Sequence, residues 1–187
     1  MPDDRLYFTA DDEANALLAR DPVALLIGFA LDQQVTVQKA FSGPLELERR
    51  LGTLDPGRIA ATDPAELERV FREKPALHRF PGAMATRTRD LCAVIAGEYG
   101  GHAERIWTEA ADGADLKRRL AALPGFGDMK VRSTLAVLAK RYDVGVPGID
   151  AVLPAHPTLG DVDSPEALES YQAAKRAYKA AQRAASA

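Results

Sequence analysis

Leu123-Pro124-Gly125-Phe126-Gly127 is the stretch whose reading decides the fold. It separates one helical pattern, over residues 115–122, from another over residues 128–142. Two glycines two positions apart permit a tight turn with no side chain over the peptide plane. Successive N–H groups and the positive end of the next helix can then face a phosphate. Lys130 and Arg132 after the turn, and Lys117, Arg118 and Arg119 before it, would add charge near such phosphates without reading sequence. The same five residues also suit an ordinary helix-to-helix turn closed by a glycine, so the flanking segments have to decide between the two.

Those segments are helical. A short side-chain acceptor followed by proline recurs at Asp21-Pro22, Asp63-Pro64 and Ser164-Pro165. Asp or Ser at the N-cap satisfies an orphan backbone N–H, and proline at the first helical position loses nothing. After Asp21-Pro22 the residues Val23, Leu26, Ile27, Ala30 and Leu31 fall at helical spacing and run into Asp32-Gln33-Gln34. Met84, Thr88, Leu91, Val94 and Ile95 form a second stripe, closed by Gly100-Gly101, and Ala136, Val137 and Leu138 belong to the helix after the hairpin. The last helix, over residues 164–184, is rich in Ala and ends basic at Lys179 and Arg183, which suits the helix macrodipole. Alternating strand patterns are almost absent, since Leu6-Tyr7-Phe8 and Val144-Gly145-Val146 are too short to build a sheet. The expected class is all-α.

The 187 residues suffice for one domain of upper-middle size or two small lobes sharing a core. With 47% hydrophobic and 27% charged residues, wholesale disorder and collagen-like or coiled-coil architectures are excluded. A net charge of −3 argues against a protein that coats nucleic acid through bulk charge. The average hides an asymmetry. Residues 1–73 carry 8 basic and 14 acidic side chains and residues 74–187 carry 16 and 13, with the most basic window between Lys117 and Arg141. That window is equally the solvated face of two helices. The apolar run over residues 23–31 is far shorter than the ~20 residues of a membrane span. No basic segment precedes an apolar run at the N-terminus, so the expected compartment is the cytoplasm. Cys92 is alone, which excludes a cysteine-ligated cluster from this chain, and suits a small buried side chain. His78, His102 and His156 lack metal-ligand spacing, and no metal is expected.

The hairpin in its context resembles that of the helix–hairpin–helix (HhH-GPD) superfamily of base-excision DNA glycosylases. The resemblance covers residues 21–154. Upstream, Asp21 to Val37 is similar to the family's helix that ends in a Gln-containing turn, where a glutamine enters the duplex beside the extruded nucleotide. Gln34, with Gln33 beside it, is assigned to that place, and an amide can both donate to and accept from a base edge. Phe80-Pro81-Gly82 with Arg87 five residues on resembles the family's Gly-x-x-x-x-Lys/Arg segment. Downstream, Val144-Gly145-Val146-Pro147-Gly148-Ile149-Asp150 looks like the loop that ends in the catalytic aspartate, although Ala151-Val152 stand where Thr-His or similar residues often follow. Asp143 is the nearest rival, and an Asx-turn is the ordinary use of an aspartate at Asp150.

The resemblance implies an all-α, two-lobed fold with the site in the cleft between residues 22–142 and a second lobe of residues 1–21 plus 143–187. It implies hydrolysis of the N-glycosidic bond of a damaged or mispaired base in double-stranded DNA. Asp150 would stabilise the cationic sugar, and Gly125, Phe126, Gly127, Lys130, Arg132, Gln34 and Arg87 would hold DNA. Bifunctional members place an attacking lysine two positions after the last hairpin glycine, where this chain has Met129. Lys130 lies one step on, about 100° around the helix. The expected enzyme is therefore monofunctional, with Lys130 as a phosphate contact or a solvated side chain. Trp107, Phe29, Phe41, Phe126 and Tyr99 are by residue type the candidates for a base pocket, and equally for core. No cofactor is implied beyond a monovalent cation at the hairpin, and no partner beyond the duplex, with the protein a monomer. The rival from another class is a non-catalytic DNA-binding module that keeps the hairpin. A helical protein-interaction domain with a chance Pro-Gly-Phe-Gly turn stands behind both.

Overall fold

A computed structural model describes residues 1–187, and every element in it is helical. The α-helices are α1 (Asp12–Arg20), α2 (Pro22–Leu31), α3 (Val37–Leu51), α4 (Pro56–Ala61), α5 (Pro64–Arg72), α6 (Pro81–Tyr99), α7 (Arg105–Thr108), α8 (Gly113–Ala121), α9 (Asp128–Arg141) and α10 (Pro165–Ala185). Two 3₁₀ turns, Ile149–Ala151 and Leu159–Asp161, interrupt the stretch between α9 and α10. The class is all-α, as the absence of alternating patterns implies.

The Asp-Pro and Ser-Pro phrases act as local start signals. The Asp21 carboxylate accepts from the N–H groups of Val23 at 2.8 Å and Ala24 at 3.3 Å, Asp63 serves α5 in the same way, and Ser164 Oγ accepts from Ala167. After its proline, α2 is buried all round, the condition of a helix at the centre of a bundle. It packs against α1, α3 and α6. At Gly28 a Cβ would stand 2.5 Å from the Phe41 ring, so glycine lets α3 close onto α2. Phe41 in turn meets Phe8 and Phe29 edge-on, with centroids 4.9 and 5.1 Å apart. One cluster of 45 buried residues, from Leu6 to Leu168, forms a single continuous core.

The C-terminus of α2 is held in place from outside. His78, buried, has Nε2 3.0 Å from the Leu31 carbonyl, while its Nδ1 accepts from Phe80 N–H at 3.0 Å. The ring is thus the neutral tautomer that donates from Nε2, and burial pulls its pKa down. Cys92 is buried in α6, its thiol pushed up to about 12 by that burial. At the other end of the chain, Asp3 N–H donates to the Arg141 carbonyl at 2.9 Å and Tyr142 donates to the Leu18 carbonyl. Beyond α9 the chain folds the Ile149–Ala151 turn against α8. It then lays the Leu159–Asp161 turn along α9, where Gly160 abuts the Ala136 backbone, and ends in α10.

Candidate nucleic-acid interface

The hairpin between α8 and α9 is formed by residues with three different tasks. Gly125 takes a left-handed conformation, φ +82°, which L side chains rarely adopt. Phe126 is only 6% exposed and its N–H donates to the Leu123 carbonyl at 3.1 Å, so it plugs the turn into the core. Gly127 is the N-cap of α9 and supplies no side chain to it, whereas Asp, Thr or Ser side chains cap α1 to α5, α8 and α10. The first α9 bond runs from Val131 N–H to the Gly127 carbonyl, leaving the N–H groups of Asp128, Met129 and Lys130 without an acceptor in the chain. That open helix end suits an anion.

Three segments read separately in the sequence meet at this turn. The stem of Arg87, from α6, lies over Gly125 so closely that a Cβ there would sit 2.5 Å from Arg87 Cδ. The Arg87 guanidinium donates to the Gln33 side-chain oxygen in the turn after α2. Gln34 beside it has φ +57° and is exposed, with no hydrogen-bond partner for its amide. Arg87 therefore braces the glutamine turn against the hairpin. Gly125→Ala is expected to strain the turn and push Arg87 away from Gln33. Were the turn to hold a DNA phosphate, affinity would fall by a similar factor for lesion-bearing and undamaged duplexes, since a phosphate contact carries no sequence information. Parallel titrations of the two duplexes check this.

Lys130 is half-buried rather than fully solvated. Of the two neighbours, Met129 is 72% exposed, and Lys130 is the one turned inward. Its Nζ lies 3.5 Å from the Ala30 carbonyl near the end of α2 and 5.8 Å from the centre of the Phe126 ring. Burial pulls the amine down to about 8, opposed by the Asp32 carboxylate and reinforced by Arg87. Asp32 caps the C-terminus of α2, and burial pushes its carboxyl above the usual range against the attraction of Lys175, Lys130 and Lys179. Each group is thereby shifted toward its neutral form. A carboxyl shifted up and an amine shifted down are each easier to hold in the neutral form than their free counterparts.

The other sequence-derived residues lie elsewhere. Asp150 is exposed in the Ile149–Ala151 turn, which rests on the N-terminal end of α8, where Gly113 N–H donates to the Pro147 carbonyl. The hairpin is at the opposite end of that helix, about 13 Å of rise away. Its rival Asp143 binds the N-terminal ammonium at 2.8 Å. Arg132 is tied to Asp128 at 2.9 Å, and most cations of the basic window are paired, largely with carboxylates outside it. Arg118 and Arg119 hold Asp115, Lys140 holds Asp161, and Arg141 holds Asp3. Phe126, assigned to DNA, gives its ring to the core. Phe29, Phe41, Tyr99 and Trp107 are buried as well, so none of the five aromatic candidates lines an open pocket. A groove of about 180 Å³ between α1, α3 and the loop before α6, lined by Asp11, Lys39, Arg49, Arg50 and Leu77 among others, contains none of the assigned residues.

Two features escaped the sequence reading: the Asp32–Lys130 pair, and the approach of α10. A signal for Lys130 exists in the chain. Val131, Thr134, Leu135 and Leu138 define the buried face of α9, and Lys130 stands on its flank, one turn before Thr134. No family model, curated protein or solved structure matches the chain, so the geometry of the site itself carries its functional reading.

Proposed function

We propose that the chain is a base-excision DNA glycosylase of helix–hairpin–helix type and that Lys130, not a water molecule held by Asp150, attacks the sugar. The observation that carries this reading is the half-buried amine of Lys130, set against the Ala30 carbonyl and the Phe126 ring in the first turn of the helix whose open N-terminus adjoins the hairpin. A lysine serving only solubility keeps its ammonium in water, where it costs nothing; one held partly out of water costs stability, and a use accounts for its being kept there.

In the proposed reaction the hairpin N–H groups hold a backbone phosphate and Gln34 enters the duplex beside the displaced nucleotide. The neutral Lys130 nitrogen gives its lone pair to C1′ as the C1′–base bond breaks, and the electron pair leaves on the base, which takes a proton from the Asp32 carboxyl. The attached nitrogen returns a proton to the Asp32 carboxylate, which passes it to the ring oxygen as the C1′–O4′ bond breaks, and a protonated imine links protein and DNA. On this reading residues 22–142 and residues 1–21 with 143–187 form the two lobes, which touch where α1 packs on α2 and α3 and where the Leu159–Asp161 turn lies along α9.

The test is incubation with a panel of duplexes, each carrying one damaged or mispaired base, followed by alkali in one arm and borohydride in the other. At least one duplex should lose its base, and borohydride should fix a covalent adduct. Base release without an adduct, abolished by Asp150→Asn, would return the chemistry to a monofunctional enzyme acting through Asp150. Tight duplex binding with no base released from any substrate would make the protein the non-catalytic module.

A further inference from the structure

The C-terminal helix is longer than its packing requires. Along α10 only Leu168 is buried; Tyr171 and Gln172 are half-buried, and everything from Ala173 onward is exposed. Gln172 anchors the helix to α3 through two hydrogen bonds with Gln38, at 3.0 and 2.8 Å. At 1.5 Å per residue, the part beyond Gln172 extends about 20 Å past the body.

The composition of this overhang is one-sided. No carboxylate occurs after Glu169, while Lys175, Arg176, Lys179 and Arg183 follow. None of the four forms a salt bridge, in contrast to the paired cations around the hairpin. Lys175, Lys179 and Arg183 also continue, at steps of three and four, the face on which Leu168 and Gln172 meet the body. The inward face of the helix thus turns from apolar to cationic where it leaves the protein. Lys175 lies beside the Tyr171 ring at 5.8 Å, and both Lys175 and Lys179 act on Asp32 as Lys130 does, which sets this row beside the hairpin site.

We propose that the Lys175–Lys179–Arg183 row of α10 is a second contact for the phosphates of duplex DNA, gripping the backbone that flanks the hairpin site. The row spans about 12 Å and its charge is complementary to a phosphodiester strand. Its uncharged faces carry mostly alanine, with no Leu, Ile, Val or Phe after Leu168, so the apolar face that a lipid surface would need is missing. The inference rests on the proposed DNA-binding function and extends it to the length of duplex engaged.

The experiment measures the affinity of the full-length protein for an undamaged 20-base-pair duplex over a range of NaCl concentrations. The Lys175→Gln, Lys179→Gln, Arg183→Gln triple variant is set beside a triple of equal charge loss, Arg20→Gln, Arg58→Gln, Lys74→Gln, drawn from other elements. Each phosphate contact contributes about 0.9 to the slope of log affinity against log salt, so the α10 triple should be shallower by roughly 2 to 3 and weaker by about tenfold or more near 0.1 M salt. Its melting temperature should stay that of the unmodified protein. An unchanged slope, or a loss matched by the control triple, overturns the inference while leaving the hairpin function intact. A loss of binding to anionic vesicles rather than to duplex overturns it in favour of a membrane. An unmodified protein without affinity for duplex removes both the inference and the function beneath it.

Discussion

Lys130→Met is expected to abolish the borohydride-fixed adduct, to cut base release at least about a hundredfold, and to raise the melting temperature at pH 7. The first two effects follow from removing the attacking group, whose positioned partner chemistry is worth on the order of 10²–10⁴ in rate. The third follows from linkage. The amine has a pKa of about 8 in the folded protein against the ordinary 10.5. Between those values the unfolded chain holds a proton that the folded one has released, so the stability of the unmodified protein climbs with pH across that window. Below about pH 8 the folded protein carries a desolvated ammonium that methionine does not. The variant is therefore the more stable at pH 7, and its advantage disappears as the pH rises through the window. Adduct formation by the unmodified protein should follow a bell-shaped pH profile, since the neutral Lys130 amine attacks and the protonated Asp32 carboxyl supplies the proton to the leaving base. Trapping yields, initial rates and thermal melts from pH 6 to 10 check all three. An adduct that persists in the variant would place the nucleophile elsewhere, and a fall in melting temperature at pH 7 would make Lys130 a structural residue.

The readable parts of the fold were those written by adjacent residues. Asp21-Pro22, Asp63-Pro64 and Ser164-Pro165 each start a helix because an N-cap acceptor and a following proline act over one turn. The hairpin helices, expected over residues 115–122 and 128–142, fall at Gly113–Ala121 and Asp128–Arg141. By contrast α3 carries Gly43-Pro44 in its interior, a pair that reads as a break in sequence, yet both residues are buried in the helix and Gly43 lies against Leu31. The site follows the same division. The backbone of the turn at Gly125 was legible, but the crossing of Arg87 over it depends on α6 packing beside α2. The inward turn of Lys130 was missed by one residue: Phe126 plugs the core and Gly127 caps α9, which sets Val131 inward and Met129 outward. The spacing of Asp150 from the hairpin says nothing of direction, and the chain after α9 carries that residue to the far end of α8. The charge of the basic window was countable, and its pairs with Asp115 and Asp128 follow helical spacing, but those of Lys140 with Asp161 and Arg141 with Asp3 depend on packing.

Phe41→Ala is expected to cost about 3–5 kcal/mol, the range for deleting a large buried side chain and leaving its cavity. Its ring is fully buried, makes edge-on contacts with both Phe8 and Phe29, and fills the space over Gly28 where α3 crosses α2. For a chain of this size each kcal/mol moves the melting temperature by roughly 2–4 °C, so a drop of roughly 6–20 °C should be seen, with a lower urea midpoint. The alternative use of Phe41, stacking on an extruded base, makes the opposite forecast: an unchanged melt and an altered preference among lesions. Gly28 sharpens the distinction. A methyl group there would lie 2.5 Å from the Phe41 ring, so Gly28→Ala alone should destabilise by overpacking. Once Phe41 has been cut back to alanine, the same methyl enters vacated space and replaces a glycine inside a helix, where alanine is intrinsically favoured by about 1 kcal/mol. The double variant should therefore be more stable than Phe41→Ala alone, a coupling between neighbours that independent sites do not show. Additive losses would mean that α2 and α3 do not meet through this ring.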